Sequence, residues 1–153
     1  AGKEALVKRF KKYGRVYVSD EGTLPESLAS YRLSTPYALI HHVLAFARLV
    51  YSEGATMASE SVVLGTHAIY VNTLLSGTTQ EMHRRFELLY PFQQGEDRYQ
   101  KAADKAEELL ADPALEQKGR EKRARLLKEK IDINDYFICE TDRLAKVGRK
   151  GKA

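Results

Sequence analysis

The residues most able to do chemistry are four histidines, because imidazole binds metals and transfers protons near neutral pH. They are His41, His42, His67 and His83. Two ligands on one helix need a spacing of three or four residues to face the same point, and only His83 and Glu87 have it. One such pair on a charged helix is typical of a solvent-exposed face. The sequence therefore predicts no metal site and no cofactor.

Nucleophilic catalysis has little support in the sequence. Cys139 is the only cysteine, and the neighbouring Glu140 disfavours the thiolate that would react. The chain has neither a Gly-x-Ser-x-Gly motif nor a glycine-rich loop ending in Gly-Lys-Ser/Thr. We therefore predict no catalytic residues and favour a non-catalytic protein. An enzyme whose site is assembled from scattered residues is an open alternative.

Positive charge is concentrated at the two ends of the chain. Residues 1–15 contain six basic residues and one acid, and residues 143–153 contain five basic residues and no acid. The segment between 131 and 142 has four acids and no base. Basic ends are suited to an acidic protein, a nucleic acid or an anionic lipid. The predicted polyanion-contacting residues are Lys146, Arg149, Lys150 and Lys152.

Several segments have the apolar spacing of an amphipathic helix. Leu6, Phe10 and Tyr13 form one stripe near the start. The clearest stripe runs from 99 to 110, and a last helix is predicted over 133–144.

Other local signals are more varied. The run Thr78-Thr79-Gln80-Glu81 has the form of a capping box, which predicts a helix beginning near residue 79. Segment 15–20 alternates with period two and is expected to be a loop or an isolated strand. The highly charged segment 114–130 is expected to be an exposed helix with local ion pairs.

The longest apolar stretches lie at 36–53 and 58–75. Pro36 after a threonine indicates a helix start, and Gly54 indicates a helix end. Because both stretches are apolar nearly all round, we predict two buried helices. The expected fold class is all-α, an irregular bundle of about six or seven helices around a central apolar helical hairpin at 36–76.

Two such helices are difficult to cover with the short or charged helices that remain. Part of the hairpin surface is therefore expected to contact other protein subunits. The predicted partner-binding residues are Leu39, Val43, Phe46, Val50, Val63 and Tyr70. Phe46 is expected in the core or in an interface of similar dryness. The predicted function is a non-catalytic structural or accessory subunit of a larger complex, and the alternative is a small helical nucleic-acid-binding module that uses its basic ends.

The 153 residues suit one domain, predicted over 1–147 with a flexible basic tail at 148–153. The start at Ala1, the lone cysteine and the net charge of +4 favour an intracellular, mitochondrial location. No segment is apolar enough to predict a transmembrane helix.

Overall fold

The computed structural model describes residues 2–20, 22–74 and 76–150. Short 3-10 helices cover Glu26–Tyr31 and Tyr37–Leu39. The remaining elements, in chain order, are α1 (Lys3–Phe10), α2 (Ile40–Phe46), β1 (Val50–Ser52), α3 (Ala55–Leu64), β2 (Ala68–Val71), α4 (Gly77–Arg84), β3 (Leu89–Phe92), α5 (Arg98–Ala111), α6 (Leu115–Glu129) and α7 (Ile133–Lys150).

The three strands form one parallel sheet in the order β1-β2-β3. Val50 pairs with Ala68 in the first ladder, and Ala68 pairs with Leu89 in the second. Each step from strand to strand passes through a helix, α3 and then α4, as parallel pairing requires. The described chain is therefore a mixed α/β fold.

The expected all-α bundle around a helical hairpin is wrong. Residues 50–52 and 68–71, assigned to the two apolar helices, are instead β1 and β2. All four residues of β2 are buried, because helices cover both faces of the sheet. A strand buried on both faces has the same continuous apolar run as a helix buried all round, so this pattern could not separate them.

Alternate residues of β2 contact the two helical layers. Ala68 and Tyr70 pack with residues of α2, α3 and α6, with Met82 of α4 against the same cluster. Ile69 and Val71 pack on the opposite face against α5. The core thus has three layers, with the sheet in the middle.

Most other helix predictions are confirmed. The stripes at 99–110 and 133–144 lie in α5 and α7, and Leu6 and Phe10 of the first stripe lie in α1, whereas Tyr13 follows the end of that helix. The helix predicted near residue 79 is α4, but the capping box is wrong, because no side chain caps it and the Thr79 hydroxyl donates to the Ser76 carbonyl at 2.9 Å. Segment 15–20 forms one isolated parallel bridge, Val18 to Arg32, as expected for an isolated strand.

The expected exposed, ion-paired helix at 114–130 is α6, which is fastened to its neighbours. Arg125 pairs with Glu129 within the helix, whereas Lys122 pairs with Glu87. The Arg123 Nε donates to the Val63 carbonyl at 2.8 Å. The Arg123 bond thus holds α6 against the end of α3, and the Lys122 pair holds it against the segment between α4 and β3.

Two glycines allow α6 to approach the turn between α3 and β2. Gly65 ends α3 in the left-handed region, with φ of 91°. A Cβ added to Gly119 of α6 would lie 2.2 Å from the Gly65 carbonyl oxygen. No side chain fits there, so a glycine in α6 is required by packing.

We expect Gly119→Ala to lower the free energy of unfolding by about 1–3 kcal/mol, because the backbone at Gly65 must move. Gly77→Ala is the matched control, since an added Cβ there meets nothing within 4 Å. That variant should be neutral or stabilised by up to about 1 kcal/mol. Urea unfolding of both variants measures the difference, and equal effects would contradict the contact.

Candidate functional site

The apolar face of α7 is uncovered. Ile133, Tyr136, Phe137 and Leu144 recur at helical spacing, and each exposes half of its surface or more. Among the described side chains of α7, Arg143 bonds to Glu140 of the same helix, and none bonds to another element. Most helices in proteins are stabilised by packing of their apolar face, and α7 lacks such packing in the described chain.

Charge divides α7 into two halves. The first half and the residue before it carry the acids, and the second half carries the bases. The acids are Asp132, Asp135, Glu140 and Asp142, and the bases are Arg143, Lys146, Arg149 and Lys150. A complementary surface would be apolar along its middle, basic opposite the first half and acidic opposite the second.

The six predicted partner-binding residues do not form one surface. Val50 and Tyr70 are buried in the sheet. Val43 is half-buried, while Leu39 and Val63 are exposed. The separation follows from the fold, since the hairpin that would have aligned them is two helices and two strands.

Phe46 differs most from its expected setting. The side chain is 89 % exposed at the end of α2, rather than in the core. It lies at the rim of two cavities of about 430 and 730 Å³. Tyr37, just before α2, is equally exposed. Phe46 thus remains a contact residue in the protein-docking hypothesis, although its neighbours Val50 and Tyr70 do not.

Three of the six basic residues of the N-terminal segment, Lys3, Arg9 and Lys12, form salt bridges with described acids. Arg9 contacts Asp104 at 2.6 Å and also contacts Glu107, and the Lys12 Nζ lies 2.9 Å from the same Glu107. These pairs fasten α1 to α5, and they hold the pKa of Glu107 below its usual range. The charge of α1 is therefore partly neutralised before any polyanion is met.

The predicted tail contacts lie at the end of α7. Lys146 is exposed, and Arg149 and Lys150 belong to the last helical turns. Lys152 lies outside the described residues. The helix thus continues into the segment expected to be a flexible tail.

Polar side chains stand at the carboxyl ends of the strands. Ser52, Asn72 and Gln93 are the last or following residues of β1, β2 and β3. The Asn72 Nδ2 donates to the Glu53 carbonyl at 2.8 Å, and the Gln93 Nε2 donates to the Leu74 carbonyl at 2.7 Å. The Gly54 amide donates to the Ser52 hydroxyl at 3.0 Å. The loops at this edge are therefore held in fixed positions.

The α3 helix begins at the same edge. Gly54 is its exposed N-cap in extended conformation, and no side chain caps the first amides. The first turn contains no acidic residue, so the positive end of the helix is not neutralised from within. A strand followed by a glycine turn and a helix is a recognisable signal for such an edge. The sequence prediction missed it because 36–53 was interpreted as one helix.

No family model, curated protein or solved structure matches this chain. None of the helices in the described part is long and apolar enough to cross a membrane. Within 2–20, 22–74 and 76–150, no three His, Cys, Asp or Glu side chains come together as a metal-binding group. Geometry alone therefore has to support a function.

The pKa of His67 lies well below its usual value. His67 precedes β2, is only 2 % exposed and stacks on the ring of Tyr90. The Tyr90 hydroxyl donates to the Glu87 carbonyl at 2.9 Å and lies 3.4 Å from the His67 Nδ1. Burial, with a smaller effect from the charge of Lys122, lowers the pKa of His67 to about 4. The imidazole is therefore neutral at pH 7.

We expect His67 to make stability depend on pH. The unfolded chain protonates this imidazole below about pH 6.5, whereas the folded chain does so only near pH 4. Its contribution is therefore complete above about pH 6.5 and is lost as pH falls toward 4, by about 3 kcal/mol. Urea unfolding at pH 7.0, 5.5 and 4.5 should show that the free energy of unfolding falls less steeply with decreasing pH in His67→Gln than in wild type.

His42→Gln is the control, because His42 is exposed. Its free energy of unfolding should depend on pH as steeply as that of wild type. Identical slopes for all three proteins would contradict a buried neutral His67.

Proposed function

We propose that this chain is a non-catalytic structural or accessory subunit of a larger protein assembly, held to another subunit through the apolar face of α7. The observation that carries the proposal is the uncovered stripe of Ile133, Tyr136, Phe137 and Leu144. Compared with the interface expected at 36–76, the docking surface moves to the end of the chain. The partner is a protein surface with an apolar centre and the charge order opposite to that of α7.

The energetics of α7 support this proposal. An isolated helix of 15 residues or so is marginal in water, and fixing each residue costs about 1–2 kcal/mol of backbone entropy. Fully burying one large apolar side chain returns roughly 1.5–3 kcal/mol. Four such side chains along α7 return roughly 6–12 kcal/mol once a partner covers them, which adds to the backbone hydrogen bonds of the helix and makes a marginal helix more stable.

We expect the purified chain to associate in sedimentation velocity experiments at moderate salt, and to bind an apolar dye. The double variant Ile133→Ser/Phe137→Ser should be monomeric with little dye binding, because the apolar stripe is interrupted. Its thermal unfolding should change little, since both side chains expose half of their surface or more.

The matched control is Asn134→Ser/Cys139→Ser, which alters two exposed residues outside the stripe. It should associate like wild type. A wild-type chain that is monomeric and binds no dye would overturn the proposal, because the face would then need no partner.

A second candidate function is binding of a phosphate-bearing small molecule at the carboxyl edge of the sheet. The carboxyl ends of the three parallel strands meet at this edge, although the described order β1-β2-β3 has no reversal that would open a crevice there. Gly54 and the uncapped start of α3 lie at this edge, and backbone amides at a helix start bind phosphate.

Pyrophosphate titrated into the chain in a calorimeter tests this second function. We expect Thr56→Glu to weaken binding at least tenfold, because the exposed side chain of the first α3 turn would place a carboxylate there. Thr56→Gln has the same size without the charge and should bind like wild type. Equal binding by both variants, or none by wild type, would exclude this site.

A further inference from the structure

A groove separates two extended segments of the chain. Segment 16–19 and β1 both line this groove, whose whole volume is about 730 Å³. Phe10, which packs with the α5 layer, lines it from one face of the sheet. Ile40 and Met57, which pack with the α2 and α3 layer, line it from the other face. The groove therefore lies in the plane of the sheet, between its two helical layers.

In segment 16–19, Val18 directs its backbone amide and carbonyl groups toward the neighbouring segment 31–33. The Val18 amide donates to the Tyr31 carbonyl at 2.7 Å, and the Val18 carbonyl accepts from the Leu33 amide at 2.9 Å. In an extended chain the backbone groups of the next residues point the opposite way. Those of Tyr17 and Ser19 thus point away from the 31–33 segment, and both residues line the groove.

The free edge of β1 also has backbone groups that point away from its neighbouring strand. The Val50 amide donates to the His67 carbonyl at 3.0 Å, which directs Val50 and Ser52 toward β2. By alternation, the backbone of Tyr51 points away from β2, and Tyr51 lines the groove. β1 is an edge strand of the described sheet. The backbone of neither Tyr17 nor Tyr51 bonds to another described segment.

We propose that this groove accepts an extended, apolar peptide segment of a partner protein as an added β-strand. The complementarity is that of the backbone, because unpaired amide and carbonyl groups at alternate residues on both borders match the two edges of a strand. This surface is separate from α7. The groove proposal therefore goes beyond the proposed docking function of α7 and does not depend on it.

The dimensions and lining define the segment. A strand residue in a covered sheet occupies roughly 160 Å³, from a rise of about 3.3 Å, a strand spacing of about 4.8 Å and a layer spacing of about 10 Å. The groove has space for about four or five residues on that basis. Phe10, Ile40 and Met57 are apolar lining from the two helical layers, so valine and isoleucine are preferred where the inserted strand faces them, while Arg15 and Arg48 also line the groove.

The test uses an acetylated, amidated peptide of the sequence Lys-Val-Ile-Val-Val-Lys, with binding and amide hydrogen exchange followed by NMR. We expect the peptide to slow exchange of the Tyr17 and Tyr51 amides at least tenfold. The Val18 and Val50 amides, already bonded within the chain, should change little. The same peptide with N-methyl groups at alternate residues should not bind, because it lacks the donors on one edge.

Two variants at Tyr17 test whether the backbone of the groove takes part in binding. Tyr17→Pro removes the amide that points into the groove, whereas Tyr17→Ala removes only an exposed side chain. We expect the proline variant to bind the peptide at least tenfold more weakly and the alanine variant to bind within threefold of wild type. Thermal unfolding verifies that both fold. The α7 variant Ile133→Ser/Phe137→Ser should bind like wild type, which separates this proposal from the α7 interface.

Three outcomes would overturn the proposal. Equal binding of the N-methylated peptide would show contact without strand pairing. Absence of protection at Tyr17 and Tyr51 would place the peptide elsewhere. Protection of both amides in the peptide-free chain, together with self-association, would show that a second copy of this chain fills the groove.

Discussion

The structure depends on one constraint, which is that a parallel sheet has to be covered on both faces. β2 has no exposed residue, so Ala68 and Tyr70 need one helical layer and Ile69 and Val71 need another. The helices α3 and α4 cover one face because they are the crossovers between strands. The helix α5 covers the other, and α1 is then fastened to α5 by Arg9. Every buried cluster of the sheet follows from this arrangement.

Elements with a single apolar stripe could be predicted from the sequence. In α5, Ala102, Ala106 and Leu109 recur at helical spacing and are buried as expected. The run Ala68-Ile69-Tyr70-Val71 has no such stripe, and only its partners in space decide between strand and helix. Pairing of β1 with β2 joins segments separated by a helix, and local sequence does not contain that information. The order of the strands therefore could not be predicted from the sequence.

The candidate surfaces were visible in part. Ile133, Phe137 and Leu144 were recognisable as a helical face, but whether that face is covered depends on where α6 ends and directs the chain. Phe46 was expected to be buried because its neighbours are apolar, yet α2 stops there and the side chain projects outward. The groove beside β1 could not be expected without the sheet, since its borders, 16–19 and 49–51, are far apart in the sequence.

The approach of Gly119 to Gly65 has a mechanical consequence. With backbone against backbone, α6 has no compressible side chain at this point and cannot slide along the turn before β2. A load applied to α7 by a bound partner would pass through residues 130–132 into α6 and then directly into the sheet. The short connection at 130–132, which contains no regular helix, is the one place along that path where bending costs little. The direction of α7 relative to the sheet is therefore set by this connection.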